Sequence, residues 1–120
     1  MDMSIEIERN DDYAIIHLAG AFHSGDYNFP SRIKEGIKLL ITENVKKVLI
    51  DFENVTFFGS DGIGSITNGH YNVCNSGGRL VPYALQPYIL SSFKIVGLDK
   101  VFPLFQTKEE ALIYLEHKVK

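Results

Sequence analysis

Cysteine is nearly missing from this chain: Cys74 is the only one in 120 residues. A lone cysteine cannot close an internal disulfide, so a reducing, cytoplasmic setting is expected and burial must supply the stability. No apolar run approaches the roughly 20 residues that span a bilayer, so no membrane insertion is expected. The opening Met1-Asp2-Met3-Ser4 lacks both a basic segment and the apolar core of a secretory signal. Basic charge is not in excess either. A net charge of −3 and a pI near 5.7 offer no general field for nucleic acid or anionic membranes. His17, His23, His70 and His117 have no metal-ligand spacing with one another or with Cys74. There is no nucleophile elbow, and Gly62-Ile63-Gly64 is neither G-x-G-x-x-G nor a lysine-bearing phosphate loop. No catalytic group, metal or cofactor is expected.

What remains is an ordinary globular composition, 45% apolar and 22% charged, at a length that suits one domain over residues 1–120. The most informative stretch runs from Val48-Leu49-Ile50-Asp51-Phe52 through Val55-Thr56-Phe57-Phe58-Gly59-Ser60-Asp61-Gly62-Ile63-Gly64. The unbroken run Val48 to Ile50 reads as a strand covered on both faces. From Ile63 the apolar period becomes helical, with Ile63, Ile66, Val73 and Cys74 on one face. Ser60 falls where an N-cap is expected, beside free backbone N–H groups and the positive end of a helix dipole. Phe57 and Phe58 cannot both face inward in an extended segment, so one is expected outside.

The flanking elements follow the same logic. Ser4–Arg9 alternates and, after the turn Asn10-Asp11-Asp12, Tyr13–Leu18 forms the second arm of a hairpin. Gly20 to Asp26 reads as a polar connection. Phe29, Ile33, Ile37, Leu40 and Ile41 recur at helical spacing, with Pro30 in the first turn and Asn44 at the end. After the stop at Asn75-Ser76-Gly77-Gly78, a strand from Leu80 to Ala84 carries Pro82, which suggests an exposed edge or a bulge. Ile89, Leu90, Phe93 and Val96 form a further helical face between Pro87 and Gly97. Val101–Phe105 is a short last strand, weakened by Pro103. Thr107 and Glu110 make a capping box ahead of Ala111, Leu112 and Leu115. The expected class is α/β, with a mixed sheet, an N-terminal hairpin and about four packed helices.

The order of these pieces resembles the STAS domain, in particular the stand-alone bacterial anti-sigma factor antagonists. That family shows an apolar strand, a polar turn, Asp-Ser-Ser/Thr-Gly-Leu-Gly opening a helix, Gly-Gly before another strand, a Gly-Leu pair, and an aromatic segment before a last helix. The matches are Leu18-Ala19-Gly20, Val48 to Asp51, Ser60, Gly62-Ile63-Gly64, Gly77-Gly78-Arg79-Leu80-Val81, Val96 to Phe102 and Thr107 to Leu112. The resemblance implies a non-enzymatic binding switch. Unmodified, the chain would hold an anti-sigma factor of the serine-kinase type; phosphorylation of Ser60 by that kinase would end the interaction and a PP2C-type phosphatase would restore it. It implies a contact surface of Gly59, Ser60, Asp61, Gly62 and the His23-Ser24 loop, on a monomer or weak dimer.

Each residue has a plain reading beside that one. Ser60 could be only a helix cap contributing about 1 kcal/mol, and Asp61 only a first-turn acid favoured by the dipole. The chain departs from the family pattern at Gly59, where an aspartate is usual, at Asp61, where a hydroxyl residue is usual, and at His23, often an aspartate. The plain account of Gly59 is an unusual backbone conformation, of His23 a surface loop residue, and of Phe22 a core plug. Gly62, Gly64 and Gly69 cost a helix interior about 1 kcal/mol each; close packing against a sheet is the plain reason for them, and close approach of a partner to this face the functional one. Cys74 reads as a small core residue. Two alternatives stay open: a constitutive interaction module, as in a signalling scaffold or lipid-transporter subunit, and a small-ligand or nucleotide sensor.

Overall fold

The computed structural model describes residues 3–25 and 28–119. Its elements are β1 (Ser4–Arg9), β2 (Ala14–Phe22), α1 (Phe29–Thr42), β3 (Lys47–Phe58), α2 (Ser60–Asn75), β4 (Arg79–Tyr83), α3 (Pro87–Ile95), a single 3₁₀ turn at Leu98–Lys100, and α4 (Lys108–Lys118). The sheet order is β1-β2-β3-β4, with β1 antiparallel to β2 and the other two pairings parallel. The two crossovers, β2-α1-β3 and β3-α2-β4, step the same way across the sheet, which puts α1 and α2 side by side on one face. Ile37 of α1 fills the space beside Gly69 of α2, so this glycine serves close helix packing. The neighbouring residues Ile15 and Ile16, like Leu49 and Ile50, are all shut off from solvent, so both sheet faces are covered there. The contacts of α4 with β3 and β4 place it as the second cover.

Several boundaries differ from the sequence reading. Gly20 to Phe22 does not leave the sheet: β2 runs on to Phe22 through register shifts against β3, with Gly20 at φ 98°. An isolated glycine in a strand marks such an irregularity as readily as a loop. Asp26 lies outside the described residues. Val101–Phe105 forms no strand; a single bridge between Tyr83 and Phe105 remains after the 3₁₀ turn. That bridge explains Pro82. The Phe105 N–H donates to the Pro82 carbonyl, so the side of β4 on which proline lacks a donor faces away from β3. Pro82 is thus on an edge strand but buried, not exposed. Val96 caps α3 and is exposed, because the helix ends at Ile95 and Gly97 turns left-handed at φ 83°. Cys74 is half-buried, its Sγ 3.8 Å from the ring nitrogens of buried His70. The capping box is present in full: Glu110 N–H donates to Thr107 Oγ1 and Thr107 N–H to Glu110 Oε1.

Candidate functional site

The ends of β2 and β3 meet the start of α2 over a bed of phenylalanines. Phe22 packs edge-on against Phe29 and Phe58 at centroid distances of 5.3 and 5.6 Å, and Phe52 against Phe58 and Phe93 at 4.9 and 5.6 Å. Such edge-to-face contacts contribute beyond the area they bury. They join β2, α1, β3 and α3 directly beneath the junction. Phe22 is the core plug that the sequence suggested. Of the pair at the end of β3, Phe58 turns in and Phe57 turns out.

Above that bed lie the residues singled out from the sequence, with one change of role. The N-cap of α2 is Gly59, not Ser60; the first intrahelical bond runs from Ile63 N–H to Gly59 O. Ser60 is the first helical residue, exposed, and makes no cap bond to its own helix. Its Oγ lies 3.1 Å from the Oγ of Ser24 in the β2–α1 loop. Gly59 is extended at φ −83°, ψ −179°, a conformation open to any residue. Its glycine is required by space instead. A Cβ there would stand 2.8 Å from Ser24 Oγ, 3.0 Å from Ser24 N and 3.2 Å from Phe22 O. The Gly59 N–H donates to that same Phe22 carbonyl at 2.8 Å and ties the two strand ends together.

Ser24 supplies the oxygen that Gly59 lacks, accepting a long bond from the Asp61 N–H at 3.4 Å. Asp61 reciprocates: its Oδ2 accepts from the Gly25 N–H at 3.1 Å. Asp61 is therefore more than a first-turn acid, since it also holds the loop. His23 is exposed and stacks on Phe57 with centroids 4.6 Å apart and planes at 24°. So His23, Ser24, Gly59, Ser60 and Asp61 gather on one surface. Gly62 does not belong to it, because it is buried with its missing Cβ 2.6 Å from Phe58 Cζ. Gly64 is the reverse case, exposed with nothing within 4 Å of a Cβ. Of the three glycines in α2, it alone has no packing reason inside the protein.

A second polar cluster, unforeseen from the sequence, crosses three strands. His17 on β2 reaches Asp51 Oδ2 on β3 through Nδ1 at 2.7 Å and Glu8 Oε1 on β1 through Nε2 at 2.9 Å. A neutral imidazole donates from one nitrogen only, so filling both contacts with donors requires the imidazolium. Burial works against that charge, but the bonds to Glu8 and Asp51 and their charges outweigh it and raise the His17 pKa above its ordinary value. The Glu8 carboxyl is lowered in turn, by bonds from Asn10 and His17. Glu8 and His17 stood in alternating and apolar runs in the sequence, with Asp51 34 residues from His17. Only the strand register brings the three together.

A model of the STAS domain family matches residues 4–111. The chain is 27% identical over 119 residues, 97% of each chain, to an anti-sigma F factor antagonist of Paenibacillus polymyxa. It is 26% identical over 111 residues to an anti-sigma-B factor antagonist of Listeria monocytogenes, covering 92% of this chain and 95% of the relative. In fold it is similar to an anti-sigma factor antagonist from Mycobacterium paratuberculosis, with a TM-score of 0.82 and 21% identity over 96% and 95% of the two chains. The phosphorylated Bacillus cell fate determinant SpoIIAA gives a TM-score of 0.68 at 20% identity over 92% and 98%.

Proposed function

The chain belongs to the STAS domain family, and on that premise we propose that it is an anti-sigma factor antagonist, a non-enzymatic, cytoplasmic binding protein whose whole length from residue 1 to 120 forms one STAS domain. In its unmodified form it binds a serine-kinase anti-sigma factor and so frees a sigma factor. Phosphorylation of Ser60 by that kinase ends the interaction, and a PP2C-type phosphatase restores it. The chemistry of transfer belongs to the kinase and its nucleotide.

The observation that carries this reading is the setting of Ser60. Its hydroxyl is exposed at the first turn of a 16-residue helix, 3.1 Å from the Ser24 hydroxyl and beside Asp61. A phosphate there meets the N–H groups and dipole of the helix start, which tolerate an anion in the free protein. In a complex the same group adds about −1.5 to −2 charges to a surface fitted to a neutral hydroxyl. Burying an unpaired charge at an interface costs about 2–5 kcal/mol, which is enough to release the partner.

Incubation with the anti-sigma kinase and ATP, followed by mass spectrometry, should place one phosphate on Ser60 and none on Ser60→Ala, and the phosphatase should remove it. Phosphate on another residue, or on none, would sink the switch. The fixed charge of Asp61 beside Ser60 favours a second reading, a constitutive interaction module in which partner binding ignores Ser60→Ala and phosphorylation alike.

A further inference from the structure

The N-terminal cap of α2 is built from two segments 36 residues apart. The cap residue, Gly59, has no side chain, and Ser24 Oγ lies 2.8 Å from where its Cβ would be. That hydroxyl accepts from Asp61 N–H, and the Asp61 carboxylate accepts from Gly25 N–H. The pattern is a reciprocal capping box with its first half moved from residue 59 onto the preceding loop. It also accounts together for two of the three departures from the family pattern: Gly59 leaves room for Ser24, and the acid stands at position 61, where it can reach Gly25.

We propose that Ser24 and Asp61 are positioning residues that dock the Ser24–Gly25 segment on α2, and that phosphorylation of Ser60 undoes this shared cap. The proposal rests on Ser60 being the modified residue. Three physical steps follow from the geometry. The phosphate replaces the Ser60 hydroxyl proton, so Ser60 can no longer donate to Ser24, whose oxygen is 3.1 Å away. It competes for the Asp61 N–H, since a charge-assisted bond is stronger than the 3.4 Å contact to a neutral hydroxyl. Finally, the new charge repels the carboxylate of the very next residue, which holds Gly25. Modification therefore changes the shape of the contact surface as well as its charge. His23, joined directly to Ser24 and stacked on Phe57, moves with it.

The test needs no kinase. Phosphoserine is incorporated at position 60 during synthesis, and amide exchange is followed by NMR. Gly25 N–H should exchange at least tenfold faster in the phosphoserine protein than in the unmodified one. Asp61→Ala should give the same acceleration without phosphate. Asp61→Asn should keep Gly25 protected in the unmodified protein, because an amide oxygen still accepts. By ³¹P titration, the second phosphate pKa should be lower in Asp61→Asn than in the parent by several tenths of a unit, as expected for a solvent-exposed charge neighbour. Unchanged Gly25 exchange on phosphoserine incorporation, or identical phosphate titrations in the two proteins, would overturn the shared cap. A kinase that ignores Ser60 would instead defeat the function proposed above and leave these measurements as they are.

Discussion

Two glycines of α2, two positions apart, should respond to alanine in opposite directions. At Gly62 a Cβ would lie 2.6 Å from Phe58 Cζ and 2.8 Å from both Cε atoms. Ordinary contact begins near 3.4 Å, so the overlap approaches 1 Å. The ring has little freedom to retreat: it is 5% exposed and held by Phe22, Phe52 and Phe93. Overpacking of this kind costs about 1–3 kcal/mol. Alanine returns at most about 1 kcal/mol of helix propensity, leaving a net loss of up to about 2 kcal/mol for Gly62→Ala. At Gly64 nothing lies within 4 Å, so Gly64→Ala should keep the gain and stabilise by up to about 1 kcal/mol. Urea unfolding followed by circular dichroism reads the difference. With a slope of about 1–3 kcal/mol/M, the midpoints of the two variants should lie on either side of the parent, separated by up to about 1–3 M. The reasoning fails if both variants shift the same way. Gly64→Ala carries a second readout: a variant more stable than the parent yet weaker for its partner would show a protein surface coming against α2 at that residue.

The His17 cluster should make stability depend on pH. His17 has a raised folded pKa, so its contribution is complete below its unfolded value near 6.5 and is lost as pH rises through the higher folded value. The lowered Glu8 pKa works from the other side, its contribution fading as pH falls through the folded value. The stability difference between the parent and His17→Gln should therefore be greatest between about pH 4.5 and 6.5 and shrink at alkaline pH; a difference that stays flat from pH 5 to 9 would refute the clamp. Thr107→Ala removes one half of the α4 capping box and should cost about 1 kcal/mol by denaturant unfolding, with no effect on partner binding. Asp61→Asn should leave stability within about 0.5 kcal/mol of the parent, as for most surface changes that keep a hydrogen bond; a larger loss would mean that the carboxylate charge itself secures the loop.

The sequence disclosed whatever was written within one element. The switch in period after Val48 to Ile50, Pro30 in the first turn of α1, the Thr107–Glu110 box and the opposed Phe57 and Phe58 are all local, and each appears in the structure. The junction itself was found, but its cap was misplaced by one residue. A serine after a glycine looks like a cap until the bond from Ile63 to Gly59 fixes the first turn. The real capping oxygen sits on Ser24, and no periodicity connects residues 24 and 61. The same holds for Glu8, His17 and Asp51, which three strands bring together. Val96 and Val101–Phe105 failed for another reason. Apolar character there signalled a buried helix face and a strand, while Gly97 and Pro103 broke both.

The most direct measurement compares the affinity of the anti-sigma kinase for three forms of the chain by titration calorimetry: unmodified, Ser60→Ala, and carrying phosphoserine at position 60. The first two should bind alike. The third should bind more weakly by a factor of about 30 or more, the equivalent of at least 2 kcal/mol. Equal affinity for the unmodified and phosphorylated forms would contradict control through the Ser60 hydroxyl.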